Sequence, residues 1–267
     1  TFRQGIIYSL TAYLLWGILP IYWKTLGVVQ AFEILSNRFI WSCVFVWILI
    51  IASGRVKSFL AETQDIFTNP KQALAMLAAA ITISFNWGLF IWAVNDGRIV
   101  ETSMGYYINP LVSIVFGVFF LKERLDNWQM AAVICAVIGQ LPWVSVSLAV
   151  SFALYGLIKK CLSVTTMTSI MLETLLITPL ALAYEYYLSL HGTSAYQTAE
   201  TSTLIMLACA GVVTATPLLF FTAGAKLLPL KIIGFLQYIA PTISLLIGVF
   251  MYGENFTSVH MVAFGWI

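Results

Sequence analysis

The stretch Met104-Gly105-Tyr106-Tyr107-Ile108-Asn109-Pro110, which leads into an apolar run, occurs in recognisable form a second time. Shifted by 131 residues and without a gap, it returns as Phe235-Leu236-Gln237-Tyr238-Ile239-Ala240-Pro241. Both copies hold Tyr-Ile-x-Pro, a serine three residues after the proline, a glycine and a glutamate in the same phase. An apolar composition would match valines and isoleucines by chance, but it would not keep those residues in register. The sequence therefore predicts a duplicated unit.

The composition is that of a membrane protein. Hydrophobic residues make up 61% of the 267 residues and charged residues only 9%, whereas about a quarter of the residues of soluble domains are charged. Apolar stretches near the roughly 20 residues that span a bilayer follow one another with short polar breaks. The net charge of +2 is small and the basic residues are scattered, so a nucleic-acid partner is not expected.

The apolar stretches predict ten transmembrane helices, and the first of them lacks a cleavage site, so we expect it to be retained. A polar, mildly amphipathic loop is predicted at 53–69. Helices 5 and 10 are too short to span a bilayer; either these segments are truly stunted or residues are omitted there, and we favour omission. The predicted helices are 1 at 5–23, 2 at 31–51, 3 at 70–94, 4 at 100–121, 5 from 127, 6 at 143–158, 7 at 168–190, 8 at 201–223, 9 at 230–252 and 10 from 256.

The positions of Lys and Arg predict the orientation, because cytoplasmic loops are enriched in positive residues. With a cytoplasmic N-terminus, the outer segments hold only Lys24 and Arg98. All the other positive loops fall inside: Arg3, Arg55, Lys57, Lys71, Lys122, Arg124, Lys159, Lys160, Lys226 and Lys231. Adding or removing one helix would scatter these charges to both sides, so the count of ten agrees with the charge pattern.

The repeat extends to the start of each half, since Trp16 matches Tyr155 and Glu33 matches Glu173 at offsets of 139 and 140. Each unit then holds five helices, 1–141 in the first and 142–267 in the second. Because five is odd, the second unit enters the membrane from the opposite side. Such inverted repeats are a common plan of secondary transporters.

The two prolines of the repeated motif mark a candidate solute path. Proline inside a helix removes a backbone hydrogen bond and crowds the preceding turn, so Pro110 and Pro241 are expected to bend or open helices 4 and 9. Tyr106, Asn109 and Gln237 lie in the same polar stripes and are interpreted as cavity-lining. Tyr238 and its counterpart Tyr107 fit a cavity wall or an interfacial anchor equally well.

Ionisable residues within spans are functional candidates by default. Glu33, Arg38 and Glu173 are such residues, with Asn37 beside Arg38. Simpler roles remain open: a carboxylate is favoured at the start of helix 2, and Arg38 could snorkel or pair with Glu33. Glu254 and its counterpart Glu123 follow helix ends and are expected to be solvated.

No enzyme signature is present. The chain has no Gly-rich phosphate loop, no His-Glu-x-x-His motif and only two histidines, so we expect no catalytic residue, metal site or cofactor. The four cysteines lack metal-ligand spacing and are interpreted as packing residues. Active transport would then have to draw on an ion or substrate gradient.

Several motifs together resemble one family over nearly the whole chain. They are Trp16-Gly17-Ile18-Leu19-Pro20, Glu33-Ile34-Leu35-Ser36-Asn37-Arg38, Asn86-Trp87, Gly105-Tyr106-Tyr107-Ile108-Asn109-Pro110-Leu111, Gly234-Phe235-Leu236-Gln237-Tyr238-Ile239 and Tyr252-Gly253-Glu254. They resemble RarD-type proteins of the EamA branch of the drug/metabolite transporter superfamily. The resemblance implies a bacterial inner-membrane protein with ten helices in two EamA repeats. It also implies a central cavity lined mainly by helices 3, 4, 8 and 9.

The function we expect is secondary transport of small metabolites or drugs by alternating access, as an exporter of amino-acid-like or amphipathic compounds. Protons are the candidate coupling ion, and the oligomeric state stays open. The alternative is a non-transporting membrane receptor or scaffold, which a dry, close-packed centre would favour. The expected cavity residues are Trp16, Glu33, Asn37, Arg38, Asn86, Trp87, Tyr106, Asn109, Tyr155, Glu173, Gln237 and Tyr238.

Overall fold

A computed structural model describes residues 1–121, 142–225, 227–228, 232 and 235–256. Throughout these residues the chain forms helices and turns without a strand, as a membrane requires, since a helix satisfies its backbone polar groups within one segment. The helices are α1 Phe2–Thr25, α2 Ala31–Ala52, α3 Val56–Thr68, α4 Pro70–Asn95, α5 Ile99–Leu121, α6 Trp143–Lys160, α7 Thr166–Leu190, α8 Ala195–Thr198, α9 Thr201–Ala225 and α10 Ile239–Leu246.

Five of these helices are long and apolar enough to cross a membrane: α1, α2, α4, α7 and α9. Two shorter apolar stretches, Trp143–Lys159 and Ile239–Met251, accompany them. Many large hydrophobic side chains on these helices face outward, including Ile81, Leu180 and Phe250. The chain is therefore a multi-pass membrane protein. Predicted helices 5 and 10 lie outside the described residues.

The segment predicted as a loop at 53–69 is mostly helix, so that prediction was wrong. Its apolar residues fall on one side of α3, where Phe59 and Ile66 are buried against the bundle, while the other side stays exposed. Asn69 then caps α4 by accepting from the Lys71 backbone N–H at 3.1 Å, and Pro70 occupies the first helical position, where its missing N–H costs nothing.

Two faces of the bundle are defined by the short helices that lie on them. On the α8 face, Lys24 Nζ donates to the Val94 carbonyl at 3.0 Å, the Trp92 and Trp143 rings are 5.7 Å apart, and Glu33 accepts from the Ala195 backbone N–H. On the α3 face, Gln72 Nε2 donates to the Cys161 carbonyl at 2.7 Å. These contacts show at which of the two faces each long helix begins and ends.

The helices that the repeat matches run in opposite directions. The helices α1, α4, α7 and α10 run towards the α8 face. Their counterparts in the repeat, which are α6, α9, α2 and α5 in the same order, run away from it. The packing is exchanged as well: α1 packs on α9 and α10, while α6 packs on α4 and α5. Likewise α2 packs on α9 and α7 packs on α4, and α2 and α7 contact each other.

Close helix approach depends on glycine at two of these contacts. A Cβ on Gly211 of α9 would lie 2.2 Å from the Trp41 carbonyl oxygen of α2, and one on Gly105 of α5 would lie 2.9 Å from the Ser145 carbonyl oxygen of α6. No side chain fits at such distances, so the two backbones touch. Such close contact gives the helices van der Waals packing energy within a lipid bilayer, where the hydrophobic effect does not drive their association.

Predicted helix 9 is not one continuous helix. Gln237 and Tyr238 form a turn, and the regular α10 begins at Ile239, two residues before Pro241. Pro241 therefore lies in the first turn of α10, where its missing N–H is not needed. By contrast, α5 is helical through Pro110.

Candidate substrate site

Arg38 is enclosed by aromatic rings in the half of the bundle near the α8 face. Its side chain projects from the second turn of α2 and only 5% of the residue is exposed. The guanidinium carbon lies 3.8 Å from the centre of the Trp87 ring and 5.1 Å from that of Trp23. The Phe39 ring packs on Trp87 at 5.6 Å. Stacking of a cation on indole faces is favourable, but it uses none of the five N–H donors of arginine.

Asn86 joins three helices next to this arginine. Its Nδ2 atom donates to the Leu148 carbonyl at 3.0 Å and to Ser151 Oγ at 2.9 Å on α6. Its Oδ1 atom accepts from the Tyr106 hydroxyl of α5 at 3.2 Å. The Tyr106 ring packs edge-on against Phe90 and Phe152.

These residues lie at a common depth. Arg38, Trp87 and Tyr106 are each seven or eight residues from the end of their helix at the α8 face, which is about 10–12 Å along the helix axis. We call the group formed by Trp23, Arg38, Asn86, Trp87 and Tyr106 the arginine site. Four of its five members were predicted from the sequence, and Trp23 was not.

The remaining predicted cavity residues of α1, α5 and the turn before α10 lie outside the arginine site. Trp16 packs on Tyr13 and Phe221, each with ring centres 5.5 Å apart. Asn109 lies one turn beyond Tyr106, and its Oδ1 atom is buried without a hydrogen-bond partner. Gln237 is half-buried.

Tyr107 and Tyr238, which the repeat matches to each other, are stacked. Their ring centres are 5.6 Å apart, and the Tyr107 hydroxyl is hydrogen-bonded to Thr242 Oγ1. The two copies of the Tyr-Ile-x-Pro motif therefore contact each other.

Glu33 and Asn37 belong to a polar cluster at the α8 face. Glu33 Oε1 accepts from the Ala195 backbone N–H and from Ser194 Oγ at 3.3 Å, so it anchors the start of α8. Asn37 Nδ2 donates to Glu185 Oε1 of α7 at 2.7 Å, and its Oδ1 atom accepts from the Tyr196 hydroxyl. The Asn37–Glu185 bond therefore joins α2 to α7.

A surface cavity of about 480 Å³ opens beside this cluster. Glu33 lines it together with Gln30, Thr193 and Glu200, among other residues. Threonine, glutamine and glutamate residues make much of the cavity lining polar, although Glu33 itself is only 2% exposed.

Tyr155 and Glu173 form a second polar cluster towards the α3 face. Glu173 Oε1 lies 2.7 Å from Lys159 Nζ and accepts from Ser169 Oγ at 3.0 Å, while Oε2 accepts from the Tyr155 hydroxyl at 3.0 Å. The Glu173 side chain is 4% exposed and that of Lys159 is 26% exposed. The carboxylate is fully partnered, which favours a structural role in this conformation.

Two simpler roles left open by the sequence are corrected. Arg38 does not pair with Glu33, because residues five apart on a helix point about 140° away from each other. Glu254 is half-buried instead of solvated: its Oε1 and Oε2 atoms accept from the backbone N–H groups of Ile99 and Val100 at 2.9 and 2.8 Å. It therefore supplies a cap to α5 from the end of the α10 segment.

Sequence reasoning missed Trp23, Lys159 and Glu185. Trp23 was not among the predicted cavity residues, and Lys159 was counted only as a positive loop charge. Glu185 is three-quarters of the way along α7, and an acidic residue at that depth is itself a signal. Over the described residues, no group of His, Cys, Asp and Glu side chains could hold a metal ion.

Comparison with known proteins places these features in a family. The model of the EamA-like transporter family matches residues 3–141. The chain is 44% identical to an uncharacterised transporter, YojE of Bacillus subtilis strain 168, over 99% of this chain and 91% of that protein. The chain belongs to the EamA-like transporter family. It is a membrane transporter of the RarD type, as the motifs predicted.

Other EamA relatives carry the name RarD. Protein RarD of Escherichia coli K12 is 40% identical over 99% of this chain and 91% of its own length. The chloramphenicol-sensitive protein RarD of Pseudomonas aeruginosa is 30% identical over 95% of this chain and 87% of its own length.

A solved structure shares the EamA fold of this chain. A crystal structure that is 17% identical in sequence superposes with a TM-score of 0.58, covering 98% of this chain and 94% of that one. At this level of identity the likeness concerns the fold alone.

Proposed function

We propose that the chain is a secondary transporter that exports small metabolites or drugs, amino-acid-like or amphipathic in character, by alternating access. It consists of two inverted five-helix repeats, 1–141 and 142–267. The observation that carries this proposal is the antiparallel run of all four described helix pairs, with their packing partners exchanged. Inverted units of this kind convert into each other's arrangement when the solute path changes sides.

The parallel run of α5 and α6 supports the ten-helix count. Both helices begin at the α8 face, where Ser145 Oγ donates to the Glu101 carbonyl at 2.6 Å. Consecutive helices that run parallel fit a chain with one further span between them, as predicted helix 5 would supply. The family match to 3–141 ends where the second unit is proposed to begin.

Charge distribution supports a cytoplasmic N-terminus in a bacterial inner membrane. Arg55, Lys57 and Lys71 lie on or beside α3, whereas Lys24 and Arg98 lie at the α8 face. The positive-inside rule then makes the α3 face cytoplasmic.

The arginine site supports transport over a receptor or scaffold role. A scaffold has no use for a buried guanidinium without an ion-pair partner, since burying a charge in a membrane is costly. In the proposed mechanism the aromatic rings hold the apolar part of the solute. The Asn37–Glu185 bond, which joins the units at the α8 face, would break when that face opens.

Purified protein in liposomes tests the function directly. A broad panel of amino acids, drugs and nucleobases is offered with and without a proton gradient, and uptake or efflux of at least one class is expected. Absence of transport across the panel would contradict the proposal. Metabolite profiling of cells with and without the protein selects the solutes to be offered first.

Protons are the coupling ion that we propose, with Glu33 as the carrier reached through the polar cavity. Glu33→Gln retains an oxygen that accepts from the Ala195 N–H, so the fold should persist while the ionisable group is lost. Gradient-driven accumulation should then disappear while counterflow without a gradient continues. Unchanged gradient dependence would exclude Glu33.

The positions where the repeat loses its symmetry are proposed to set solute preference. Asn109 is matched by Ala240, and Asn109 carries a buried oxygen without a partner. The double exchange Asn109→Ala and Ala240→Asn should change which solutes compete for transport. An unchanged competition profile would assign both positions to packing.

A further inference from the structure

Arg38 differs from every other enclosed cation that the structure describes. Among the described side chains, the positive groups that are not exposed are Lys24, Arg38, Arg98 and Lys159. Lys24 donates to two backbone carbonyls, Arg98 pairs with Asp96 at 2.8 Å, and Lys159 pairs with Glu173 at 2.7 Å. Arg38 is the most deeply buried of the four, and in the described part of the chain it has no oxygen partner at all.

The surroundings of Arg38 leave its donors unused. Trp87 and Trp23 contact it through their ring faces, and its Nε atom is buried without a hydrogen-bond partner. Each buried donor left unsatisfied costs free energy, and a buried charge without a partner costs more. A ligand oxyanion that accepts from these donors would offset that cost.

Three buried carboxylates of the protein are engaged with other partners. Glu33 anchors the start of α8, Glu185 accepts from Asn37, and Glu173 is paired with Lys159. None of them forms an ion pair with Arg38. No described carboxylate is therefore paired with Arg38, which leaves the guanidinium available to an anionic ligand.

We propose that Arg38 binds an oxyanion group, a carboxylate or a phosphate, of the solute that the protein transports. This inference rests on the proposed transport function and names the solute class. The planar guanidinium fork matches two oxygens of either group. Trp23, Trp87 and Tyr106 would contact an aromatic or aliphatic body attached to it, which describes an amphipathic organic anion.

The test measures binding instead of transport, so that the two proposals can fail separately. The purified full chain in mild detergent is heated with increasing phenylacetate, with its neutral isostere phenylacetamide, or with phenyl phosphate. Phenylacetate or phenyl phosphate should raise the unfolding temperature and phenylacetamide should not. The stronger of the two anions identifies the oxyanion class.

Two substitutions and a control locate the site. Arg38→Gln should weaken anion binding about 10- to 100-fold, the loss expected for hydrogen bonds to a charged group. Arg38→Lys should give an intermediate loss, because the ammonium keeps the charge without the fork. Arg98→Gln removes a charge at the α8 face and should leave binding unchanged.

The ligand-free proteins give a second, independent readout. Arg38 has no hydrogen-bond or ion-pair partner to lose, and the cost of burying its charge offsets its stacking on the two indole rings, so Arg38→Gln should unfold at the same temperature as the parent or higher. A marked fall would show that the arginine holds the bundle together and would overturn the proposal. It is equally overturned if no anion stabilises the parent, or if anion and amide stabilise it alike. Transport of a neutral solute alone would leave the proposed function standing and remove this inference.

Discussion

The Lys159–Glu173 pair gives a quantitative test of how this membrane protein holds a buried charge. Replacing Lys159 by methionine keeps most of the length of the side chain and removes its charge. The Glu173 carboxylate then stays buried, with its side chain 4% exposed, and keeps only the hydroxyl groups of Tyr155 and Ser169 as hydrogen-bond donors.

The expected cost follows from this geometry. Breaking a buried ion pair by removing one partner costs about 3–5 kcal/mol. Two hydroxyl donors remain on Glu173 and the Lys159 side chain is 26% exposed. Lys159→Met should therefore lower the free energy of unfolding by about 3 kcal/mol, near the lower end of that range. Adding Glu173→Gln removes the stranded charge and should recover most of that loss, because an ion pair replaced as a whole is nearly neutral.

The measurement is unfolding of the purified protein in mixed detergent with increasing denaturing detergent, for the two single variants and the double variant. Lys57→Met, which removes an exposed lysine of α3, is the matched control and should change the free energy by less than about 0.5 kcal/mol. If Lys159→Met matched this control, or if the double variant were as unstable as the sum of the single ones, Glu173 would not depend on Lys159. A proton or solute role for Glu173 would then regain support.

Three further substitutions test local contacts by unfolding measurements. Partial burial raises the pKa of Glu62, but hydrogen bonds from the Thr165 N–H, the Thr165 and Thr168 hydroxyls and Ser58 outweigh it and lower that pKa. The stabilisation that these hydrogen bonds provide is fully present above the pKa that Glu62 has in the unfolded chain, and it is lost as the pH falls through the lower pKa of the folded protein. Glu62→Gln should therefore flatten the acid side of a plot of stability against pH. Glu254→Ala removes both acceptors at the start of α5 and should cost about 1–2 kcal/mol, whereas an unchanged midpoint would refute the capping role. Gly211→Ala should cost at least about 2 kcal/mol because α2 and α9 must separate, while Gly156→Ala, which meets nothing within 4 Å, should be tolerated.

Much of the fold was predictable from periodic hydrophobicity. The bounds of α2, α4 and α7 lie within about two residues of the predicted ones, because a bilayer demands uninterrupted apolar helices of nearly fixed length. The helix α3 was missed since its apolar residues occupy only one side, and a polar average over the segment resembles a loop. The interruption at Gln237–Tyr238 was missed because both residues are compatible with a helix, and Pro241 marks only the neighbourhood of a break.

The sequence predicted most residues of the candidate site but not the contacts between them. Sequence identified Arg38, Asn86, Trp87 and Tyr106 because polar or aromatic residues inside spans are conspicuous. It also placed Glu33 and Glu173 in the same expected cavity, whereas the structure puts them in clusters at opposite faces. Residues that are far apart in sequence meet through the crossing and rotation of helices, which periodicity does not encode.

The sequence by itself determined a helical membrane protein and the family to which it belongs, since hydropathy and motifs are properties of the chain in order. Only the tertiary structure decided which charges are paired. Lys159 was one positive residue among many until α6 and α7 were packed together, and Glu254 was a loop residue until it met the start of α5. The contact between the two copies of the Tyr-Ile-x-Pro motif is also visible only in the tertiary structure, where Tyr107 stacks on its counterpart Tyr238. Electrostatic partners are set by distances of a few ångströms between separate helices, and those distances follow from packing.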